Sequence, residues 1–269
     1  MMSLLQLKGL RLVAGEQILV HDIDLSINAG EWLTVIGESG SGKTLTGSSI
    51  GRLLPSGVSH VAGQIIFKGQ SLSVLSEKQM NQLRGKEIGY IFQDYSGVFS
   101  PFLPIGKQLN ETLQVHYTWG RQERRERIIQ ALNDVSLPAE RVVASYPFQL
   151  SGGQLQRVSI AMAMLLEPRL LIADEPTSAL DWITGSEILE LLIRLREETN
   201  CSILFITHDL KLARRYADQI AIMREGNILE SGQAEDVLTQ AKHLYTQKLL
   251  AAESMLTYTE PVIRTKRGE

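Results

Sequence analysis

Short, nearly solid apolar runs recur along the chain, and between them the apolar positions fall at helical spacing. Trp32 to Ile36, Ile88 to Phe92, Leu170 to Ala173, Ser202 to Thr207 and Gln219 to Met223 are such runs, the pattern of strands buried on both faces. Leu4 to Val13 and Ile18 to Ile27 also read as strands, the second alternating at Ile23, Leu25 and Ile27. Gly63 to Phe67 is a shorter one, and Asn28-Ala29-Gly30 and Lys68-Gly69-Gln70 are turns. Leu45 to Leu54 continues as a helix. From Pro104 to about Leu166 the spacing is helical, with a stripe at Ile128, Ile129, Leu132 and Val135. Strands that return with helical stretches between them predict an α/β fold with a mainly parallel sheet and crossover helices.

The run Trp32 to Ile36 leads directly into Gly37-Glu38-Ser39-Gly40-Ser41-Gly42-Lys43-Thr44, which fits G-x-x-x-x-G-K-[ST]. Strand before and helix after is the context that a phosphate-binding loop requires. Its glycines let successive N–H groups turn inward around phosphate oxygens, and the helix start adds a positive dipole end. Lys43 supplies a point charge for the β- and γ-phosphates, and Thr44 can place its hydroxyl on Mg²⁺.

The bulk properties narrow the class. The chain has 269 residues, 43% of them apolar and 21% charged, with a net charge of −3. No basic face for nucleic acid is expected. The basic cluster Arg124, Arg125 and Arg127 is interleaved with glutamate and reads as a solvated helix face. One cysteine, Cys201, excludes a disulfide framework or a Cys cluster for metal, and a reducing cytosol is the natural compartment. The N-terminus lacks a signal-peptide pattern. The longest near-apolar run, Val158 to Leu166, is far short of the ~20 residues that span a bilayer.

Five further motifs follow in order. Gln93 ends the Ile88 strand, and Leu150-Ser151-Gly152-Gly153-Gln154 opens a helix. Asp174-Glu175 ends the Leu170 strand, Ser178-Ala179-Leu180-Asp181 follows, and His208 ends the Ser202 strand. With these the chain resembles the ATP-binding subunits of ABC transporters over roughly Leu4 to Leu250. The resemblance implies a P-loop ABC-type nucleotide-binding domain over 1–250: a RecA-like core, an N-terminal antiparallel β region, an inserted helical subdomain at about 96–166, and a polar tail over 251–269. It implies that Asp174, with Thr44 and Gln93, holds Mg²⁺, that Glu175 polarises the attacking water, and that His208 orients it. Ser151 with the N–H groups of Gly152 and Gly153, and Gln154 behind them, makes a second anion site.

Two phosphate-facing elements in one chain fit two subunits meeting head to tail, each signature segment closing on the ATP held by the other, with Asp181 at the interface. The family stacks adenine on an aromatic ahead of the second strand. Here Val13-Ala14-Gly15-Glu16-Gln17-Ile18 has none, so either His21 or another group covers the base, or binding leans on the phosphates. Weaker affinity and poor discrimination between ATP and GTP are expected. Trp182 either packs at the dimer interface or caps the helix.

Within the family, Leu53-Leu54-Pro55 with Gly63-Gln64-Ile65, Ser145-Tyr146-Pro147-Phe148, and His243-Leu244-Tyr245-Thr246 resemble the nickel/dipeptide/oligopeptide importers. Tyr95 stands where that group often has proline. The resemblance implies an ATP-hydrolysing subunit powering import of nickel, a metal chelate, or di- or oligopeptides. The chain's length and single cysteine lean towards the metal branch. Implied partners are two transmembrane permeases, a second ATPase subunit (a related chain or itself) and, indirectly, an extracytoplasmic substrate-binding protein, with no nucleic acid. The implied place is peripheral, on the cytoplasmic face of the bacterial inner membrane. Phe99, Phe102 and Leu103 either meet a permease helix or pack inside the helical subdomain. The competing class is a soluble ABC ATPase of translation or DNA repair.

Overall fold

A computed structural model describes residues 3–257. The long strands β1 (Ser3–Ala14) and β2 (Gln17–Asn28) pair antiparallel through the turn at Gly15, where a positive φ suits glycine. β3 (Trp32–Ile36) enters the core and α1 (Lys43–Ile50) leaves it. The expected helix over Leu45 to Leu54 stops earlier, because Gly51 ends it and Arg52 takes a left-handed φ. β4 (Val58–Phe67) begins well before Gly63 because it pairs along β1 as far as Ala14, and β5 (Gln70–Ser71) adds an edge. Together these form an antiparallel sheet in the order β2-β1-β4-β5.

After α2 (Glu77–Leu83), β6 (Ile88–Ile91) leads into the helical subdomain. Its helices are α3 (Ile105–His116), α4 (Arg121–Asp134), α5 (Ala139–Ala144) and α6 (Gly152–Met164). Then come β7 (Leu170–Asp174), α7 (Trp182–Thr199), β8 (Ser202–Thr207), α8 (Leu210–Tyr216), β9 (Gln219–Arg224), β10 (Asn227–Gln233), α9 (Ala234–Thr239) and α10 (Leu244–Thr257). The central sheet runs β10-β9-β3-β8-β7-β6, parallel except for β10. Helix α10 carries the fold past the expected domain end at residue 250. The part of the expected tail over 258–269 lies outside the described residues.

The period-2 alternation of the strands sorts the core into two faces. Leu171, Ala173, Ile203 and Phe205 point to one side, where the helical subdomain and α7 pack. Leu170, Ile172, Leu204 and Ile206 point to the other, where the antiparallel sheet, Ile50 of α1 and Met80 of α2 pack. The phosphate-loop helix and the helix opened by Ser151 therefore lie on opposite faces of one sheet. The arginine cluster on α4 is engaged within the subdomain. Arg124 donates to Asn110 Oδ1 at 2.8 Å, Arg125 pairs with Glu140, and Arg127 donates to Leu165 O at 3.0 Å.

Candidate functional site

The loop from Gly37 to Thr44 is shaped by close packing. A Cβ at Gly37 would run into the Met223 carbonyl of β9, and Gly40 and Gly42 both take positive φ. Lys43 is buried, and its Nζ donates to the carbonyls of Gly37 and Glu38 at 2.8 Å each and to Ser41 Oγ at 3.5 Å. The ammonium is thereby folded back over its own loop, with Ser39 and Gly40 at the exposed crest. Burial lowers the Lys43 pKa from its usual value, against the opposing pull of Glu175, Asp174 and Glu38.

Beside the loop, β7 delivers Asp174 and Glu175. Burial raises the Asp174 carboxyl above the usual carboxylate range, against the Thr44 hydroxyl bonded to it; Glu175 adds to the rise. Asp174 Oδ1 is buried with no hydrogen-bond partner among the described residues. A buried unpaired carboxylate oxygen beside a hydroxyl is a hard-oxygen donor set of the kind Mg²⁺ takes. Glu175 has left the strand: its φ is +44°, and its N–H donates to Ile206 O at 2.9 Å. Its two carboxylate oxygens are held separately, by His208 Nδ1 at 3.1 Å and by Gln93 Nε2 at 3.5 Å. Gln93, Glu175 and His208, which come from the ends of β6, β7 and β8, thus meet at one carboxylate.

Across the sheet, Ser151 caps α6. Its Oγ accepts from Gln154 N–H at 3.3 Å, and Gln154 Oε1 accepts from Ser151 N–H at 3.1 Å, a reciprocal capping box. Gly152 and Gly153 open the helix against Tyr95 Oη and Thr184 Cγ2, where a Cβ would fall 3.1 and 2.8 Å away. Asp181 caps α7, accepting from the N–H groups of Ile183 at 3.1 Å and Thr184 at 3.0 Å. Trp182 is therefore not the cap; it starts α7 and is 82% exposed. The structure brings Lys43, Thr44, Asp174, Glu175, Gln93 and His208 to one end of the sheet, and leaves Ser151 to Gln154 on the far face.

A comparison with family models matches residues 20–178 to the ABC transporter family. The chain belongs to that family. The metal-staphylopine import ATP-binding protein CntD of Staphylococcus aureus (strain NCTC 8325 / PS 47) is 42% identical over 258 residues, 95% of each chain. A putative peptide import ATP-binding protein of Brucella ovis is 40% identical over 277 residues, covering 99% of this chain and 81% of that one. Among solved structures, the post-hydrolysis dimer of the ATP-binding cassette MJ0796, bound to ADP and Pi, superposes with a TM-score of 0.76 at 31% identity, over 86% of this chain and 98% of that one.

As an ABC transporter ATPase, the chain hydrolyses ATP for transport. No described helix is long and apolar enough to cross a bilayer. The stretch expected to carry the adenine-stacking aromatic is the bare β1–β2 turn, with Ile18 partly exposed after it. His21 sits further along β2, its N–H bonded to Gly226 O at 2.8 Å. Of the three side chains that the sequence left open, Phe99 is buried in the helical subdomain (4% exposed) and Phe102 stands out at 85%, while Leu103 is half-buried.

Some of the site escaped sequence reading. Buried Gln156 on α6 donates to Pro176 O at 2.8 Å, tying the signature helix to the residue after Glu175. Tyr245 of α10 donates to Glu38 Oε1 at 2.8 Å. Gln156 had no trace in the sequence, since it stands between Leu155 and Arg157 in the polar first turns of α6, ahead of the apolar run. The Tyr245 contact had none, because its partner is 207 residues away.

Proposed function

We propose that the chain powers import through a multi-subunit ABC importer, taking a metal chelate or nickel, or else di- or oligopeptides, as cargo. The observation that carries the ATPase chemistry is the Glu175 carboxylate, fixed at both oxygens by His208 and Gln93 beside a buried lysine in a phosphate loop. The N–H groups of Gly37 to Thr44 and the Lys43 ammonium bind the triphosphate. Glu175 accepts the proton of the attacking water, and His208 and Gln93 hold that carboxylate in place. Thr44, Asp174 and Gln93 are the residues that would hold Mg²⁺, which supplies charge neutralisation on the phosphate oxygens when bound.

The opposite-face placement of α1 and α6 supports a two-chain arrangement in which Ser151, Gly152 and Gly153 of one subunit close on nucleotide held by another, with Asp181 nearby. The partners are then a second ATPase subunit, two permeases reached through the face bearing Phe102, and a substrate-binding protein outside, with this chain peripheral on the cytoplasmic side of the inner membrane. The metal-chelate arm is favoured by the S. aureus relative, the ATP-binding protein of a metal-staphylopine import system, which matches along 95% of both chains.

Two variants test this. Lys43→Ala loses ATP binding, and cells carrying it in the intact transporter lose radioactive nickel uptake. Unchanged nickel uptake with lost dipeptide uptake moves the cargo to peptides; unchanged ATP binding removes the phosphate-loop role. Glu175→Gln binds ATP but hydrolyses it roughly 10²–10⁴-fold more slowly, and accumulates as an ATP-dependent dimer in sedimentation. A strict monomer at saturating Mg·ATP contradicts the two-chain site.

A further inference from the structure

The phosphate loop carries an acid of its own. Glu38 belongs to the anion cradle: its carbonyl holds Lys43 Nζ at 2.8 Å and accepts Ser41 N–H at 3.2 Å. A free carboxylate on that loop would sit among groups arranged for triphosphate and repel it, because like charges disfavour one another at short range. Here the carboxylate is taken up from outside the loop. Tyr245, in the first turn of α10, donates its hydroxyl to Glu38 Oε1 at 2.8 Å. Arg224, the last residue of β9, stacks over the Tyr245 ring 4.8 Å from its centroid and pairs with Glu225 at 3.1 Å, so that its part here is to steady the ring. Burial and the bond to Glu38 raise the Tyr245 pKa, keeping the phenol protonated as a donor.

The helix that presents Tyr245 is anchored at several points. Glu230 of β10 accepts from the N–H groups of Lys242 at 2.7 Å and His243 at 3.1 Å, just ahead of the helix. Tyr245, Leu249 and Leu250 pack on the cluster that includes Ile36, at the end of β3, and Arg214 of α8 pairs with Glu253 at 3.0 Å. A rigid mount for one hydroxyl against one loop carboxylate is the arrangement expected of a group that orients another.

We propose that Tyr245 is a positioning residue for the nucleotide site: its ring steadied by Arg224, it holds the Glu38 carboxylate towards α10 and off the phosphate cradle, so that the C-terminal helix sets nucleotide affinity. The proposal rests on the assignment of Gly37 to Thr44 as the triphosphate site. It touches none of Gln93, Glu175 or His208, so it acts on binding and not on the chemical step.

The test is a double-mutant cycle on the full chain, with Mg·ATP titrated calorimetrically and steady-state hydrolysis measured alongside. Tyr245→Phe removes one hydroxyl and keeps the packing. It raises the Kd and KM for ATP roughly three- to tenfold and leaves kcat within about twofold. In a Glu38→Gln background no charge needs restraint, and adding Tyr245→Phe changes Kd by less than about twofold. An unchanged Kd in Tyr245→Phe overturns the proposal. So does an equal loss in both backgrounds, which would make Tyr245 a packing residue. Should Tyr245→Phe fail to fold, Arg224→Gln gives the same Glu38-dependent loss on a smaller scale, and its absence overturns the proposal equally. Wild-type and Lys43→Ala titrations run in parallel: a wild type that binds no ATP removes the nucleotide-site assignment itself, whereas a normal wild type with a silent Tyr245→Phe removes only the role of Tyr245.

Discussion

Asp174 shows how the site is held at a cost to the fold. Burial raises its pKa, so at neutral pH the ionised carboxylate is less comfortable in the folded chain than in water. The ionised form is therefore a destabilising group at pH 7. That penalty shrinks as pH falls from the raised value towards the ordinary carboxylate range, where both states are protonated. Asp174→Asn should raise the melting temperature of the nucleotide-free chain by roughly 2–6 °C at pH 7, with the gain fading towards pH 4, while hydrolysis is lost. Calorimetric melts at the two pH values check this, and a variant that melts lower at pH 7 contradicts it. Single residues at the strand ends were legible in the sequence because a solid apolar run followed by Asp174-Glu175 has few other readings. The +44° φ of Glu175 and its two side-chain partners were not, since backbone sign and partner choice depend on β6 and β8 lying on either side of β7.

At the level of elements, the segment joining β6 to α3 is stapled by one side chain. Buried Gln108 accepts from Ser100 N–H at 2.8 Å and donates to Ser100 O at 3.0 Å and Leu103 O at 2.8 Å. It thereby stiffens the connection from Gln93 to the helical subdomain. Gln108→Ala strands those backbone groups and should cost about 2–4 kcal/mol, read as a lower urea midpoint and faster proteolytic nicking between residues 93 and 104. Elements with solid or alternating apolar runs were readable from the sequence: β1, β2, β3, β7, β8 and β9 all lie within a residue or so of where periodicity puts them. β10 was not read. It is an edge strand, half-exposed along most of its length, and Asn227, Glu230 and Gly232 interrupt its apolar positions. The fate of Phe99 was equally hidden, because two phenylalanines three residues apart look alike until α3 shows which one it covers.

Across the whole molecule, Cys201 reports on the fold. It is buried at the entry to β8, beneath α7, and burial pushes its thiol up to about 12. Such a thiol reacts only when the core opens. Maleimide labelling of the native chain should therefore track global unfolding and slow further in Mg·ATP, by the factor that mass action gives for a ligand of the folded state. Rapid labelling in native buffer would show local opening of the α7–β8 corner.

The sheet that parts α1 from α6 also has a genetic meaning. On the proposed two-chain site, a copy whose phosphate loop is ruined by Lys43→Ala would still fold an intact Ser151 cap on the far face, and so would still close on the ATP held by a sound copy. If pairs form at random from equal amounts of both, only about a quarter contain two working loops. Such an allele would poison its neighbours and behave as dominant, whereas a lesion that unfolds the chain would stay recessive.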